Sequence, residues 1–88
     1  MWNDRLRIAE SVEHDWRGLT AEDRTLALAA LETIDDDPIA GAPLYEPLRG
    51  LWSYRAGRLR VVYRIVTEGR FVVILNVSRA RAEVGADS

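Results

Sequence analysis

The chain has 88 residues, enough for one small domain with a modest core, so we expect a single domain over residues 1–88. It contains no cysteine, which excludes disulfides and cysteine-bound metals, and no apolar run approaches the roughly 18 residues of a membrane span. With 48% hydrophobic and 30% charged residues the composition is that of a folded protein, and we expect it in the cytoplasm.

The net charge of −2 conceals an uneven distribution along the chain. Residues 1–48 carry 4 arginines and 11 acids, a net charge of −7, whereas residues 49–88 carry 8 arginines and 3 acids, a net charge of +5. All basic residues are arginine, which keeps its charge and pairs with phosphate through two parallel hydrogen bonds. The second half is therefore the candidate for contact with a polyanion.

The first half of the chain begins with a strand and a short helix. Residues Arg5–Ala9 alternate polar and apolar side chains, which predicts a strand. A helix is predicted over Ser11–Leu19, with Ser11 as its capping residue and one apolar stripe along its length. The stripe consists of Val12, Trp16 and Leu19.

A second helix is predicted to begin at Thr20 and to end near Asp36. Thr20 with Asp23 resembles a capping box, and Pro38 disfavours helical geometry at the residue before it. The two helices would form an antiparallel hairpin. The proline-rich segment that follows, residues 37–47, reads as a connecting loop.

The second half reads as three strands joined by tight turns. We predict strands over Gly50–Ala56, Leu59–Val66 and Arg70–Val77, with two-residue turns at residues 56–57 and 68–69. Strict alternation would give each strand one apolar face. The apolar sets are Trp52 and Tyr54 in the first strand, Leu59, Val61, Tyr63 and Ile65 in the second, and Phe71, Val73, Leu75 and Val77 in the third.

These elements predict an α+β fold of two layers in the order β-α-α-β-β-β. An antiparallel sheet would be covered on one face by the helical hairpin. The other face would be mixed, with Arg55, Arg60, Arg64 and Asn76 among apolar residues.

The chemistry available to this sequence is limited. No nucleophile, base and acid can be assembled, the single histidine is His14, and no glycine-rich phosphate loop or metal-binding pattern is present, so we expect no cofactor and no metal. Two interpretations of the sheet arginines stay open: a solvated face with arginine stems packed over apolar neighbours, or a surface that binds phosphate groups. The set is Arg49, Arg55, Arg60, Arg64, Arg79 and Arg81.

Residues Leu48–Ile65 read LRGLWSYRAGRLRVVYRI. This segment resembles the RelE/ParE superfamily of bacterial toxins, whose common form is L-x-G-x-W-x-x-R-x-G-x-x-R-V-x-Y-x-I. The helical hairpin upstream and the Val77-Ser78-Arg79 end of the last strand fit the same pattern. The resemblance implies a toxin of a type II toxin–antitoxin pair. RelE-like members cleave mRNA in the ribosomal A site, whereas ParE-like members inhibit DNA gyrase.

A RelE-like identity would give the arginines defined roles. It implies that Arg55, Arg60, Arg79 and Arg81 grip the scissile phosphate and stabilise transition-state charge, with the ribose 2′-OH as nucleophile and no metal. Arg49 and Arg64 would bind RNA nearby. The implied partners are the cognate antitoxin, in a hetero-oligomer, together with the ribosome and its mRNA.

The sequence departs from the family pattern where proton transfer would be expected. Ser53 stands where a basic residue is frequent, Arg79 where a histidine is common, and Gly85 near a frequent tyrosine position. Arginine is a poor proton donor, which leaves Glu46 as a possible base. Three functions stay open: an mRNA interferase, a ParE-like gyrase inhibitor, and a member without toxicity that acts as antitoxin partner and co-repressor.

Overall fold

A computed structural model describes residues 5–67 and 70–80 of the chain. The first strand β1 spans Leu6–Ile8 and is followed by helices α1, Glu10–Arg17, and α2, Ala21–Asp36. A short 3-10 helix over Pro38–Ala40 leads into strand β2, Ala42–Pro43. The remaining strands are β3, Trp52–Ala56, β4, Leu59–Val66, and β5, Phe71–Arg79.

The five strands form one sheet in the order β1-β5-β4-β3-β2. The predicted two-layer α+β fold is confirmed, but the sheet is mixed rather than antiparallel throughout, because β1 pairs with β5 in parallel. The α1–α2 hairpin carries the chain from β1 at one edge of the sheet to β2 at the other edge. Strand β2, which was predicted to be loop, pairs with β3 through only two residues.

The two helices differ in how their N-termini are capped. Thr20 caps α2 as predicted, because its Oγ1 accepts the Asp23 N–H at 3.1 Å. The predicted cap of α1 by Ser11 is wrong: the helix starts one residue earlier, after Ala9, without a side-chain cap. The Ser11 hydroxyl instead donates to the Leu75 carbonyl at 3.1 Å.

The turn between β3 and β4 is displaced by one residue from the prediction. Ala56 pairs with Leu59, so the two loop residues are Gly57 and Arg58, and Gly57 adopts the positive φ of +60° that such a turn needs. The predicted turn at Glu68 and Gly69 lies outside the described residues.

The core lies between the helical hairpin and one face of the sheet. The predicted apolar face of β4 is confirmed, since Leu59, Val61 and Tyr63 are fully buried. The predicted apolar set of β5 is wrong except for Val77, because Val72 and Ile74 are buried in place of Phe71, Val73 and Leu75. Val62 pairs with Asn76 and Tyr63 with Ile74, which leaves Leu75 unpaired as a β-bulge that reverses the alternation. The remaining buried apolar residues are Val12, Ala27, Ala30, Leu31, Ile34, Val72, Ile74 and Val77.

Helix α1 satisfies the backbone of β5 around the bulge, where β1 has ended. The Ala9 N–H donates to the Ile74 carbonyl at 2.9 Å. The Asp15 carboxylate accepts the Val77 N–H at 3.0 Å and the Asn76 side-chain amide at 3.2 Å. These bonds give partners to edge groups that a bulge leaves without ladder partners.

The buried Tyr63 hydroxyl ties the sheet to the loop after α2. It donates to the Pro38 carbonyl at 2.6 Å and accepts the Gly41 N–H at 3.1 Å, and burial raises the pKa of the phenol despite the bond from Gly41. Gly41 is required there by close approach, since a Cβ at this position would lie 2.6 Å from the Ser53 carbonyl oxygen.

Replacing Tyr63 by phenylalanine is expected to lower the free energy of unfolding by about 1–3 kcal/mol, because the half-buried Pro38 carbonyl and Gly41 N–H both lose their partner. Urea unfolding followed by tryptophan fluorescence measures the change. The matched control is Tyr45→Phe, because the Tyr45 side chain is 80% exposed and its change should stay within about 0.5 kcal/mol. Equal effects of the two substitutions would contradict the structural role given to the Tyr63 hydroxyl.

Candidate nucleic-acid interface

The face of the sheet opposite the helices carries the positive charge of the strands. We call it the open face and define it by the strand pairing, since residues directly opposite each other point to the same side. It is built on alternate residues of β4, from Arg60 to Val66, and on their partners in the other strands. The open face consists of Arg7, Ala42, Ser53, Arg55, Arg60, Val62, Arg64, Val66, Phe71, Val73, Asn76 and Ser78.

Arg55 and Arg60 lie directly opposite each other near the β3–β4 turn. Both side chains are exposed, and the Arg55 Nε–H donates to the Gly57 carbonyl at 3.0 Å. No carboxylate among residues 5–67 and 70–80 forms an ion pair with either arginine. Like charges placed opposite each other on a sheet repel, so an anion bound between the two guanidinium groups would remove an existing cost.

Two further arginines extend the positive surface toward the other end of the sheet. Arg64 lies four residues from Arg60 on the same strand, which is about 13 Å. Arg7 lies in the same row of the sheet as Arg64, and its guanidinium carbon lies 4.7 Å from the ring centre of Phe71. Arg64 is therefore too far away to share one phosphate group with Arg60, but both can contact one extended polyanion.

Arg79 does not join the open face, although the sequence placed it with Arg55 and Arg60. It pairs with the buried Leu59, so its side chain starts on the helix side of the sheet, where its Nε lies 3.4 Å from a carboxylate oxygen of Asp23. The β-bulge at Leu75 causes this placement, because one extra residue moves each later side chain of β5 to the opposite face. Open-face position 78, opposite Arg60, is a serine.

Asp23 forms an ion-pair cluster that sequence reasoning missed. Its side chain is 1% exposed and its second oxygen accepts the Arg58 Nε–H at 2.6 Å, with the exposed Glu22 at 3.5 Å from the same guanidinium. Burial raises the pKa of Asp23, but the hydrogen bond and charge of Arg58, with help from Arg79, outweigh burial and hold the pKa below its usual value. An acid in the first turn of a helix is only a weak signal for such a cluster.

The depressed pKa of Asp23 predicts a loss of stability in acid. The ionised carboxylate stabilises the fold above the unfolded-state pKa of about 3.9, and this contribution is lost as the pH falls through the lower folded-state value. We expect Asp23→Asn to lower the unfolding free energy at neutral pH and to flatten its dependence on pH below about 4. Urea unfolding between pH 7 and pH 2.5 measures this, with the exposed Asp36→Asn as control. Parallel pH profiles of unfolding free energy for wild type and Asp23→Asn would contradict the lowered pKa of Asp23.

The remaining predicted site residues lie apart from the Arg55–Arg60 pair. Arg49 is in the loop between β2 and β3, at the opposite end of β3 from the pair, and lies 3.4 Å from Glu46 with both side chains largely exposed. Arg81 lies outside the described residues. Glu46, considered as a base, is therefore engaged with Arg49 and remote from Arg60.

Acid–base groups are scarce on the described part of the open face. Its residues include neither a carboxylate nor an imidazole, and His14 is exposed on α1. At the edge of the open face, the Asp15 carboxylate already accepts hydrogen bonds from the Val77 N–H and the Asn76 amide. In the described segments, no group of three or more His, Asp or Glu side chains could hold a metal ion. Neither described helix combines the length and hydrophobicity needed to cross a membrane.

A second surface feature is an apolar groove on the helical layer. It lies along α1 and α2, encloses about 390 Å³, and includes Ile8 and Leu28, which are exposed by 49% and 43%. Its other lining residues are Val12, Glu13, Trp16, Arg17 and Leu31. Exposed apolar grooves of this kind are typical of surfaces that receive a helix from another protein.

Comparison with known proteins finds a matching family model and similar solved structures. The family model described as the ParE toxin of the type II toxin–antitoxin system, parDE, matches residues 3–84. The toxin–antitoxin complex RelBE2 of Mycobacterium tuberculosis contains a chain that is 30% identical, with 84% of this chain and 94% of that chain covered and a TM-score of 0.76. Among curated protein sequences, none matches significantly.

Two more distant structures share the fold. The isolated RelE toxin of Escherichia coli is 21% identical, with 86% of this chain and 83% of that chain covered and a TM-score of 0.69. A chain of the archaeal RelE–RelB complex of Pyrococcus horikoshii OT3 is 18% identical, with 85% and 92% covered and a TM-score of 0.67. The family model over nearly the whole length, the 30% identical relative and the shared fold agree. The chain belongs to the RelE/ParE superfamily of toxins of type II toxin–antitoxin systems.

Proposed function

We propose that this toxin is a RelE-like mRNA interferase that cleaves mRNA on the ribosome without a metal ion. The observation that carries the proposal is the Arg55–Arg60 pair: two exposed guanidinium groups opposite each other, with no carboxylate of the described residues paired to either. Such a pair matches a phosphate group, whose oxygens accept hydrogen bonds from planar arginine forks. Ribosomes and mRNA would place the activity in the cytoplasm.

The proposed reaction uses the RNA's own 2′-OH as nucleophile. Its oxygen loses a proton to water and forms a bond to the adjacent phosphorus. The bond to the 5′-oxygen of the next nucleotide breaks and that oxygen takes a proton from water, so the products are a 2′,3′-cyclic phosphate and a free 5′-OH. Negative charge on the phosphate oxygens grows as the reaction proceeds, and Arg55 and Arg60 stabilise it. Because DNA lacks the 2′-OH, this mechanism confines cleavage to RNA.

RNA binding along the rest of the open face follows from its charge. Arg64 continues the positive surface about 13 Å from Arg60. Arg7 lies in the same row as Arg64, with the aromatic ring of Phe71 beside it. Backbone phosphates of a single strand can be neutralised there by arginine, while exposed bases can stack on an aromatic or guanidinium plane. Arg49, Arg79 and Arg81 stay predictions as further phosphate ligands.

Mapping mRNA ends in a cell-free translation system tests the proposal. Purified toxin should produce new 5′ ends within translated codons, and these ends should disappear when the same mRNA is incubated with toxin but without ribosomes. The 3′ fragments should accept phosphate from polynucleotide kinase, because they carry a free 5′-OH. Folded toxin that leaves the mRNA intact during translation would refute the interferase activity.

The alternative is a ParE-like toxin that inhibits DNA gyrase without chemistry of its own. Two observations favour it: the matching family model is that of the ParE toxin, and the described open face holds no group for proton transfer. A gyrase supercoiling assay separates the two, because only the alternative predicts that supercoiling is inhibited. Inactivity in both assays would leave the third function, a partner and co-repressor without toxicity.

The proposed partner is an antitoxin in a hetero-oligomer. The support is that the related chains from M. tuberculosis and P. horikoshii were solved as toxin–antitoxin complexes. The apolar groove fits an amphipathic helix from such a partner, and the basic open face fits an acidic segment. Co-expression with the product of the adjacent reading frame, followed by co-purification on a tag carried by the toxin, tests for a stable complex.

A further inference from the structure

The two arginines that contact Asp23 lie at very different distances from its carboxylate oxygens. The Arg58 Nε lies 2.6 Å from one carboxylate oxygen, a short charge-assisted hydrogen bond. The Arg79 Nε and its terminal nitrogen lie 3.4 and 3.5 Å from the other oxygen, at the outer limit of a hydrogen bond. Arg58 is therefore the firm partner of Asp23, and Arg79 is a loose second one.

The backbone of Arg58 is joined to the end of the strand that carries Arg79. The Arg58 carbonyl accepts the Ala80 N–H at 2.8 Å, which ties the β3–β4 turn to the end of β5. The Arg79 side chain is 63% exposed and occupies the last row of the described sheet, next to the row that contains Arg60. The Arg79 guanidinium can thus change partners at the end of the sheet while Arg58 stays in place.

The cost of moving Arg79 depends on what it leaves behind. Asp23 is 1% exposed, and a buried carboxylate deprived of every cation is strongly unfavourable. If Arg79 were the sole partner of Asp23, its move to a phosphate would leave the buried carboxylate without a cation, and this cost would weaken phosphate binding. Because Arg58 already neutralises Asp23, the release of Arg79 costs only a long ion pair whose arginine is 63% exposed.

We propose that Arg79 is an exchangeable arginine, which rests on Asp23 and moves to a phosphate of bound RNA, and that Arg58 is the positioning residue that permits the exchange by keeping Asp23 neutralised. The RNA as ligand rests on the proposed function. The exchange itself rests on the geometry of the cluster, so the two can be tested separately.

Binding of fluorescein-labelled single-stranded decauridine, measured by anisotropy at several salt concentrations, tests the role of Arg58. Arg79→Gln should weaken binding about tenfold and reduce the slope of log Kd against log salt by about 0.7, the value for one lost phosphate contact. Arg58→Gln should reproduce both changes, because Asp23 then retains Arg79. Adding Asp23→Asn to Arg58→Gln should restore wild-type slope and affinity to within about twofold.

Rescue by the second substitution is the decisive result. If Arg58 touched RNA itself, or only maintained the fold, Asp23→Asn/Arg58→Gln would bind as weakly as Arg58→Gln, and the proposal would be overturned. Arg58→Gln with wild-type binding would overturn it as well. Arg55→Gln serves as the control, since its loss of binding should not be recovered by Asp23→Asn.

An RNA-independent measurement keeps the proposal testable if the variants fold poorly. In the wild-type protein, the Nε–Hε NMR signal of Arg79 should shift on titration with sodium pyrophosphate, while the signal of Arg58 should stay in place. Equal shifts, or a shift of Arg58 alone, would refute the exchange. Shifts as expected, together with a negative ribosome assay, would refute the mRNA interferase function and leave the exchange standing.

Discussion

Replacing Arg60 by alanine is expected to reduce ribosome-dependent mRNA cleavage by about 10²–10³-fold, the usual loss when one preorganised donor to a developing charge is removed. Arg60 is exposed on the open face and makes no ion pair with the described residues, so the fold does not depend on its guanidinium. The unfolding free energy should therefore change by no more than about 0.5 kcal/mol. Initial rates of mRNA cleavage and urea unfolding of the same samples measure the two effects.

Two further variants test why activity falls when Arg60 is replaced. Arg60→Lys keeps the charge but loses the two-pronged contact, so it should recover only part of the rate. Arg17→Ala removes an exposed arginine from α1, on the helical layer, and should leave the rate unchanged. Equal losses for Arg60→Ala and Arg17→Ala would mean that net charge alone drives the reaction, which contradicts a phosphate grip by the Arg55–Arg60 pair.

The parts of the fold that follow from local periodicity could be predicted from the sequence. The alternation in β4 places Leu59, Val61 and Tyr63 in the core and Arg60 and Arg64 outside, and the structure has this arrangement. A central strand with one buried face leaves a single register that buries its apolar residues. The predicted turn at residues 56–57 puts Arg55 and Arg60 on the same face but not opposite each other. Their direct pairing follows from the observed turn at Gly57 and Arg58.

Strand β5 could not be predicted in the same way because both of its faces are apolar up to Leu75. Residues 71–75 read FVVIL, a run that fits either orientation equally well. The choice is made by tertiary contacts: α1 supplies Ala9, Ser11 and Asp15 as partners for backbone groups around the bulge. A pattern within one strand contains no information about such contacts.

The position of Arg79 is the functional consequence of that bulge. With Phe71 and Val73 on the open face, simple alternation would place residue 79 there too, whereas the bulge places it opposite the buried Leu59. The family resemblance, and not the predicted alternation, had grouped Arg79 with Arg55 and Arg60. Its contact with Asp23 joins residues 56 positions apart, and neither local sequence predicts it. The sequence therefore predicted a set of candidate arginines, but their division between the open face and the Asp23 cluster required the structure.

Replacing Ile34 by alanine is expected to lower the unfolding free energy by about 2–5 kcal/mol, the largest stability change we predict. Ile34 is fully buried on α2, in the core between the helices and the sheet, and its truncation both loses apolar contact and leaves a cavity. A small domain has little stability to spare, so the melting temperature should fall by more than about 10 °C.

The chain contains its own matched control, because Ile39 is 67% exposed in the 3-10 helix only five residues away. Ile39→Ala removes the same atoms without leaving a cavity, so its effect should stay within about 0.5 kcal/mol. Urea unfolding should give similar dependences on denaturant for both variants and different midpoints. Comparable losses would contradict the assignment of the α2 face to the core. They would also contradict the assignment of one sheet face to the helices and of the other, with Arg55 and Arg60, to the open face.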